Sequence, residues 1–353
     1  MTIDRLQTPS LVVEKKILLQ NAETMKKMLE GSNAALRPHY KSHKCAALAR
    51  WQVANGAKGM TCAKLEEAED LADAGIEDIL IANEVIDPRK IRRMADLAGD
   101  CRLTVCVDHI ENALAIAEAA KAANTTVHCL VEYEIGMRRC GVKEQADVLK
   151  LAEVIGSESH LTFDGIQAYA GHISHLEDAV EREAITKNNA SKLRTLLKLL
   201  ADHGMEAKIL SGASTGTAEM KIKEGLYNEI QVGSYLFMDS TYRTLNLPFK
   251  NSLFLLSSVV SVKDGLTVLD AGVKTCGVDQ GMPDFEGCDA KEIVANEEHF
   301  QFHGLSVSHR VGDRILLIPG HCCSTVNLHD RIYVVDEGKV VDRLAITARG
   351  FSK

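Results

Sequence analysis

No stretch of this 353-residue chain approaches the run of roughly 18–20 apolar residues that a bilayer-spanning helix needs. A membrane protein of the helical kind is therefore not expected. The opening residues, Met1-Thr-Ile-Asp-Arg5, carry no apolar signal-peptide core, so a cytoplasmic location is expected. Positive charge is not in excess: 41 Lys and Arg face 49 Asp and Glu, for a formal net charge of −8. That argues against a general nucleic-acid binder, which carries a basic stripe. A disulfide framework is also missing. The ten cysteines are scattered without characteristic spacing, and a chain this long does not need one. Most read as small buried hydrophobes; the adjacent pair Cys322-Cys323 is the exception. There is no low-complexity tract, linker or clear repeat.

Apolar content of 46% is enough for a substantial core. From about residue 14 to 245, helical stretches alternate with short apolar, β-branched ones. Helices are expected at Gln20–Glu30, Ala46–Asn55, Thr61–Ala74, Pro88–Ala98, Ile110–Ala123, Lys143–Gly156 and, as one long helix or two, His175–Gly204. Thr61 is the candidate cap of the third. Strands are expected at Ala35–Pro38, Asp78–Ala82, Leu103–Val107, Val127–Tyr133, Gly165–Tyr169, Ala207–Ser211 and Glu229–Gly233. The alternation predicts an α/β fold, a (β/α)8 TIM-type barrel over residues 14–245. The competing open doubly wound sheet lacks its Gly-x-Gly-x-x-Gly turn after the first strand. From about 246 to 353 the pattern turns β-rich, with hairpin turns at Lys263-Asp-Gly-Leu266 and Asp336-Glu-Gly-Lys339. This predicts a C-terminal all-β domain, with residues 1–13 as a segment that could join it.

Chemistry-bearing residues fall in clusters. Arg37-Pro-His-Tyr-Lys-Ser-His-Lys44 packs three cations and two imidazoles into eight residues after an apolar stretch. Barrel strands deliver such residues into the active-site mouth at their C-terminal ends. Lys41, flanked by Arg37, His39 and His43, sits in a positive field that favours the neutral amine required for imine chemistry with a cofactor aldehyde. Lys44 is the rival lysine, and a solvated basic loop is the plain alternative. Ser211-Gly-Ala-Ser-Thr-Gly-Thr217 follows a strand. Its small residues would let backbone N–H groups close around a phosphate, with hydroxyls from Ser214, Thr215 and Thr217. Gln231-Val-Gly-Ser-Tyr235 lies one βα unit later, where this barrel type recurrently binds phosphate. The alternative for both is an ordinary loop. Arg139, in Gly136-Met-Arg-Arg-Cys-Gly-Val142, could aim into the same mouth. Tyr169, His172 and His175 offer stacking or proton-transfer groups. On a strand, His321 and Cys323 would share a face and converge on one ion while Cys322 points away. An imidazole and a thiolate suit zinc better than magnesium. A buried Cys pair beside a surface His is the alternative.

Taken together, these motifs resemble the D-threonine aldolase and D-serine dehydratase-like family of fold-type III pyridoxal phosphate enzymes. Gly165-Ile-Gln-Ala-Tyr169, Met238-Asp239 and Pro319-Gly-His-Cys-Cys-Ser-Thr-Val-Asn-Leu-His-Asp330 add to the likeness, which keeps motif order along nearly the whole chain. The resemblance implies an alanine racemase-like barrel, Lys41 as the Schiff-base lysine, and His321 and Cys323 as ligands of a divalent metal (zinc or manganese, with magnesium third). It implies Arg139 and Tyr169 near the cofactor ring. The phosphate would lie against Ser214, Thr215, Gly216, Thr217, Gly233, Ser234 and Tyr235. It further implies a small D-amino acid substrate and a homodimer. The expected activity is retro-aldol cleavage of a D-3-hydroxy amino acid to glycine and an aldehyde, with Lys41, His175 and Tyr169 as the catalytic groups. A dehydratase giving a 2-oxo acid and ammonia is the alternative, and a racemase or a non-catalytic cofactor carrier are further ones. Two departures stand out. Cys323 occupies a position where the aldolase branch carries aspartate, and Gly212-Ala-Ser-Thr-Gly216 has fewer glycines than its relatives.

Overall fold

The computed structural model describes residues 1–287, 290–304 and 308–352; Cys288 lies outside them. The chain divides into two compact units, one made mainly of Met28–Lys41 and Ala46–Gly233, the other of Met1–Lys27, Ser42–Cys45 and Ser234–Gly350.

The first unit is a barrel of parallel strands. They are β1 (Ala35–Leu36), β2 (Met60–Cys62), β3 (Asp78–Ile81), β4 (Arg102–Val107), β5 (Val127–Glu132), β6 (Leu161–Ala168), β7 (Ile209–Gly212) and β8 (Glu229–Ile230). Hydrogen bonding runs β1-β8-β7-β6-β5-β4-β3-β2. A parallel bridge from His39 to Thr61 brings the ends of this order together. Seven helices follow the first seven strands: α1 (Ala46–Ala54), α2 (Leu65–Asp73), α3 (Pro88–Leu97), α4 (Ile110–Ala123), α5 (Gln145–Ser157), α6 (Ala179–Asp202) and α7 (Ala218–Glu224). The strands are apolar on both faces because side chains fill the lumen and helices cover the outside. The helices bury one stripe each, as in α4, where Ala113, Ile116, Ala117 and Ala120 face inward.

Three helix starts differ clearly from expectation. The helix expected at Gln20–Glu30 runs Lys15–Leu29. Thr61 is not a cap but the centre of β2, a three-residue strand too short to show a period. Helix α2 begins at Leu65, and the Glu67 carboxylate accepts from the N–H groups of Ala63 and Lys64. Helix α6 starts at Ala179 rather than His175, because the Asp178 carboxylate accepts from the Val180 and Glu181 N–H groups.

Arg37 also departs from its expected place. It is 1% exposed, and its charge is engaged by acids inside the barrel. Its guanidinium donates to Glu229 at 2.9 and 3.0 Å and to Asp78 at 2.9 and 3.2 Å. Lys58 adds a 2.6 Å contact to Glu229. Burial opposes the charges, but the ion pairs prevail: Arg37 is held above its usual range and Glu229 below the carboxylate range.

The second unit is built on one sheet. Its strand order is Ala290–Ala295, Phe300–Gly304, Leu266–Leu269, Leu253–Lys263, Ser10–Glu14, Arg331–Asp336, Lys339–Ala345. Arg314–Ile318 also pairs with Leu253–Lys263 and with Asp284–Phe285. Ser10–Glu14 lies antiparallel to Leu253–Lys263 and parallel to Arg331–Asp336. Both expected hairpin turns form. Asp264-Gly265 and Glu337-Gly338 all have positive φ, as a two-residue type I′ turn requires. Leu253–Lys263 is apolar on both faces: Leu255 and Val259 join Phe300, Phe302 and Leu317 in one core cluster, while Phe254 and Leu256 join Val12, Ile318 and Val335 in another.

Arg37→Met is expected to destabilise the protein by about 3–5 kcal/mol at pH 7, since it strands a buried carboxylate. Without Arg37, burial raises the Glu229 pKa above its unfolded value, so the deficit should shrink as pH falls from 7 to 5. Denaturant unfolding at the two pH values checks both the size and the sign.

Candidate active site

Lys41 lies in a tight 3-10 turn, Tyr40–Ser42, a few residues beyond β1. Its backbone N–H donates to His39 Nδ1 at 3.4 Å. Its Nζ stands 5.8 Å from the ring centroid of Tyr169, the residue immediately after β6. The Arg139 guanidinium lies 5.7 Å from the same ring. The structure thus gathers three sequence-expected residues around one phenol. Lys44 behaves differently. It is buried, has φ +47, and directs Nζ to the Ala348 carbonyl at 3.4 Å. Lys41 is thus the lysine beside Tyr169, and Lys44 fastens the C-terminal segment.

The barrel rim carries acids that the sequence reading missed. Arg139 lies 3.8 Å from Glu132, the last residue of β5. Burial, then the charge of Glu84, raises the Glu132 carboxyl despite Arg139; burial, then Asp108, raises Glu84. Glu84, Asp108 and Cys140 bring ligand atoms within 4.8 Å of one another. Asp108 accepts the Gly141 N–H at 3.0 Å, which ties down the loop bearing Arg139. The available signal was positional: carboxylates at the C-terminal ends of strands.

The Ser211–Thr217 loop has the features of an anion cradle. Ala213 has φ +74, a conformation non-glycine residues rarely adopt. A Cβ on Gly212 would stand 2.5 Å from the Ala168 carbonyl, so only glycine fits. The Ser214 N–H and hydroxyl both meet Thr217 Oγ1, at 3.1 and 3.0 Å. Thr215 Oγ1 is buried with no partner among the described residues. A buried hydroxyl left open in a small-residue loop fits a phosphate oxygen. Gly233 follows β8, two residues after Gln231. The Gln231 amide donates to Gln167 at 2.6 Å and to Ser211 at 2.7 Å. His172 and His175 share the β6–α6 connection with Tyr169. Partial burial, with Lys221 and Arg138, lowers His172 against the pull of Glu134.

In the β unit, His321 is not on a strand. The strand Arg314–Ile318 ends before it, and His321 caps the short helix Cys322–Val326. The i, i+2 argument therefore fails, yet the pair still meets. The His321 ring is hydrogen-bonded to Cys323 and, through Nδ1 at 2.7 Å, to Asp279. Burial works against a charged ring here, but Cys323 and Asp279 outweigh it and push His321 up to about 9. Hydrogen bonds from Ser324 and His321 hold Asp279 below the carboxylate range in spite of its partial burial. The cluster is a receptor for positive charge, and an imidazole–thiol donor set with a carboxylate on the ring fits a divalent metal. Cys322 does not turn wholly away. Its Sγ lies 3.9 Å from that of Cys323, and its N–H donates to the buried Asp239 at 3.0 Å. Ser234 approaches Cys323 at 4.0 Å, and Tyr235 packs edge-on against Phe249.

The model for the alanine racemase N-terminal domain matches residues 13–241, and that for a serine dehydratase domain matches 252–335. The chain belongs to the alanine racemase-like, fold-type III pyridoxal phosphate family. A D-threonine aldolase of Arthrobacter sp. is 36% identical over 99% of this chain and 94% of its own length. A 3-hydroxy-D-aspartate aldolase of Paracoccus denitrificans is 34% identical over the same shares. The crystal structure of a D-threonine aldolase from Filomicrobium marinum superimposes with a TM-score of 0.97 at 35% identity, covering 100% of this chain and 98% of that one.

If His321 ligates zinc, Asp279→Asn should weaken zinc affinity about 10–100-fold, because the carboxylate would fix the ring of the ligating histidine. Competition against a chromogenic chelator measures it. Unchanged affinity would remove Asp279 from that role.

Proposed function

We propose that this chain is a pyridoxal phosphate- and divalent metal-dependent carbon–carbon lyase that cleaves D-3-hydroxy amino acids to glycine and an aldehyde. The observation that carries the reading is similarity at 34–36% identity, over nearly the full length, to two aldolases of D-3-hydroxy amino acids. The cofactor, when bound, supplies an aldehyde for the substrate amine and an electron sink for the carbanion left at Cα.

The protein's part is to hold, orient and move protons. Lys41 carries the amine that holds the cofactor and afterwards returns a proton to Cα. Tyr169 and Arg139 lie beside Lys41 and set the ring in place. Ser214, Thr215, Gly216 and Thr217, with Gly233, Ser234 and Tyr235, receive the phosphate. His321 and Cys323 would hold the metal, whose chemistry when bound would be to lower the pKa of the substrate 3-hydroxyl. His175 takes that proton. Thiolate ligation favours zinc over manganese, and both over magnesium. No helix among the described residues is long and apolar enough to cross a membrane; we infer a cytoplasmic homodimer. Cys323 is the one feature that favours the dehydratase reading.

Lys41→Ala should abolish the visible absorbance of the lysine-bound cofactor, and Lys44→Ala should leave it. The reverse would reassign the lysine. Chelation should abolish turnover while that absorbance persists. Product analysis on D-threonine, D-3-hydroxyaspartate and D-serine tests the reaction itself. Glycine plus an aldehyde is expected, and a 2-oxo acid plus ammonia would overturn the aldolase reading.

A further inference from the structure

Lys221, on α7 directly after the Ser211–Thr217 loop, is 1% exposed and its Nζ has no hydrogen-bond partner among the described residues. A buried ammonium without a partner is costly and normally carries a function or a counter-ion. Its Nζ lies over the face of Tyr227, 4.1 Å from the ring centroid. Tyr227 is itself fixed: it is 2% exposed and its hydroxyl donates to the Ala168 carbonyl at 3.0 Å. The same ring abuts the loop, since a Cβ on Gly212 would lie 2.8 Å from Tyr227 Cε1. One ring thus separates the amine from the turn at Gly212-Ala213. The helix direction agrees. Lys221 N–H donates to the Thr217 carbonyl, and helical side chains lean toward the N-terminus, here toward Thr217 and Ser214. Within one βα unit two buried donors, Lys221 Nζ and Thr215 Oγ1, lack an acceptor.

We propose that Lys221 is the buried counter-charge of the cofactor phosphate, acting from behind the Ser214–Thr217 loop so that phosphate binding draws a proton onto its amine. The proposal rests on the cofactor reading above. Burial alone lowers Lys221, to about 7, so the amine is poised between its forms without the anion. The facing groups leave it that freedom. Tyr227 is pushed upward by burial and is not an anion. His172, on the β6–α6 connection, is lowered in part by Lys221 itself. The charges on the outer faces of α6 and α7 pair among themselves, Glu183 with Lys187, Glu219 with Lys223 and Arg194 with Glu224.

Lys221→Met keeps the buried alkyl chain and removes the amine. Binding of pyridoxal phosphate and of pyridoxal, which lacks the phosphate, is measured on the apoenzyme of both forms. The variant should lose about 10-fold for pyridoxal phosphate, the worth of a buried charge acting across the Tyr227 ring rather than in contact, and nothing for pyridoxal. Should the variant fail to fold, calorimetry of the wild type in buffers of different ionisation enthalpy decides. Pyridoxal phosphate should take up more protons than pyridoxal at pH 8. Equal losses for both ligands, no loss, or equal proton uptake would overturn the role of Lys221 while leaving the cofactor reading intact. A wild-type protein that binds neither ligand would overturn both.

Discussion

The barrel depends on how its first strand is closed. β1 and β8 are two residues each, and the link from the segment after β1 to β2 is a single bridge. Backbone N–H groups of Ala35, Arg37 and His39 donate to Asn228, Ile230 and Val232 on one side, and those of Lys58 and Thr61 donate to Leu36 and Pro38 on the other; the Arg37 side chain reinforces that seam. Its guanidinium grips Glu229 at the start of β8 and Asp78 at the start of β3, while its carbonyl accepts from Thr61 Oγ1 in β2. Three strands are thus tied to one residue, β8 and β3 through its side chain and β2 through its carbonyl. Lys41 comes four residues later in the same segment, so its position is inherited from that closure. The cluster stabilises only as a whole, because each buried charge offsets the desolvation of another.

Above this floor the polar groups are sorted by sign. Acids gather at the ends of β3, β4 and β5, where Glu84, Asp108 and Glu132 crowd closely enough to raise two carboxyl pKa values. Donors gather at β7 and α7, where Thr215 and Lys221 end without acceptors. Arg139 belongs to the acidic side, and Glu132 reduces the freedom of its long side chain beside Tyr169. A barrel made of near-identical βα units can produce such asymmetry only through the few residues at strand ends, which is where functional variation is tolerated.

Much of this was legible in the sequence, because the alternation of helices and strands is a local property. The barrel strand it concealed is Met60–Cys62, where three residues cannot display a period. The cation-rich segment Arg37–Lys44 announced a site but hid its division of labour. Arg37 is turned into the barrel by acids 41 and 192 residues away in sequence, Lys41 is presented beside Tyr169, and Lys44 is bound to Ala348. No local pattern distinguishes those fates. Spacing misled at His321 and Cys323, whose meeting comes from a helix cap rather than from strand alternation. Asp279, 42 residues before His321, had no motif to mark it.

The acidic partner of His321 also bears on what Cys323 means. Where the aldolase branch of the family is expected to carry aspartate, this chain has a thiol, and a thiolate donates more charge to a metal than a single carboxylate oxygen does. A more neutralised metal is a weaker Lewis acid toward a hydroxyl. Asp279 orients the imidazole through Nδ1, and an ion on the other ring nitrogen and Cys323 would keep positions for water and substrate. The choice between breaking Cα–Cβ and expelling the hydroxyl then rests on which proton is removed first. That is a matter of where a base stands, and ligand softness alone does not decide it. Cys323 is thus compatible with aldol cleavage as long as the proton taken first is that of the 3-hydroxyl. This is the task assigned to His175, and Lys41 then acts on Cα only after the carbon–carbon bond has gone.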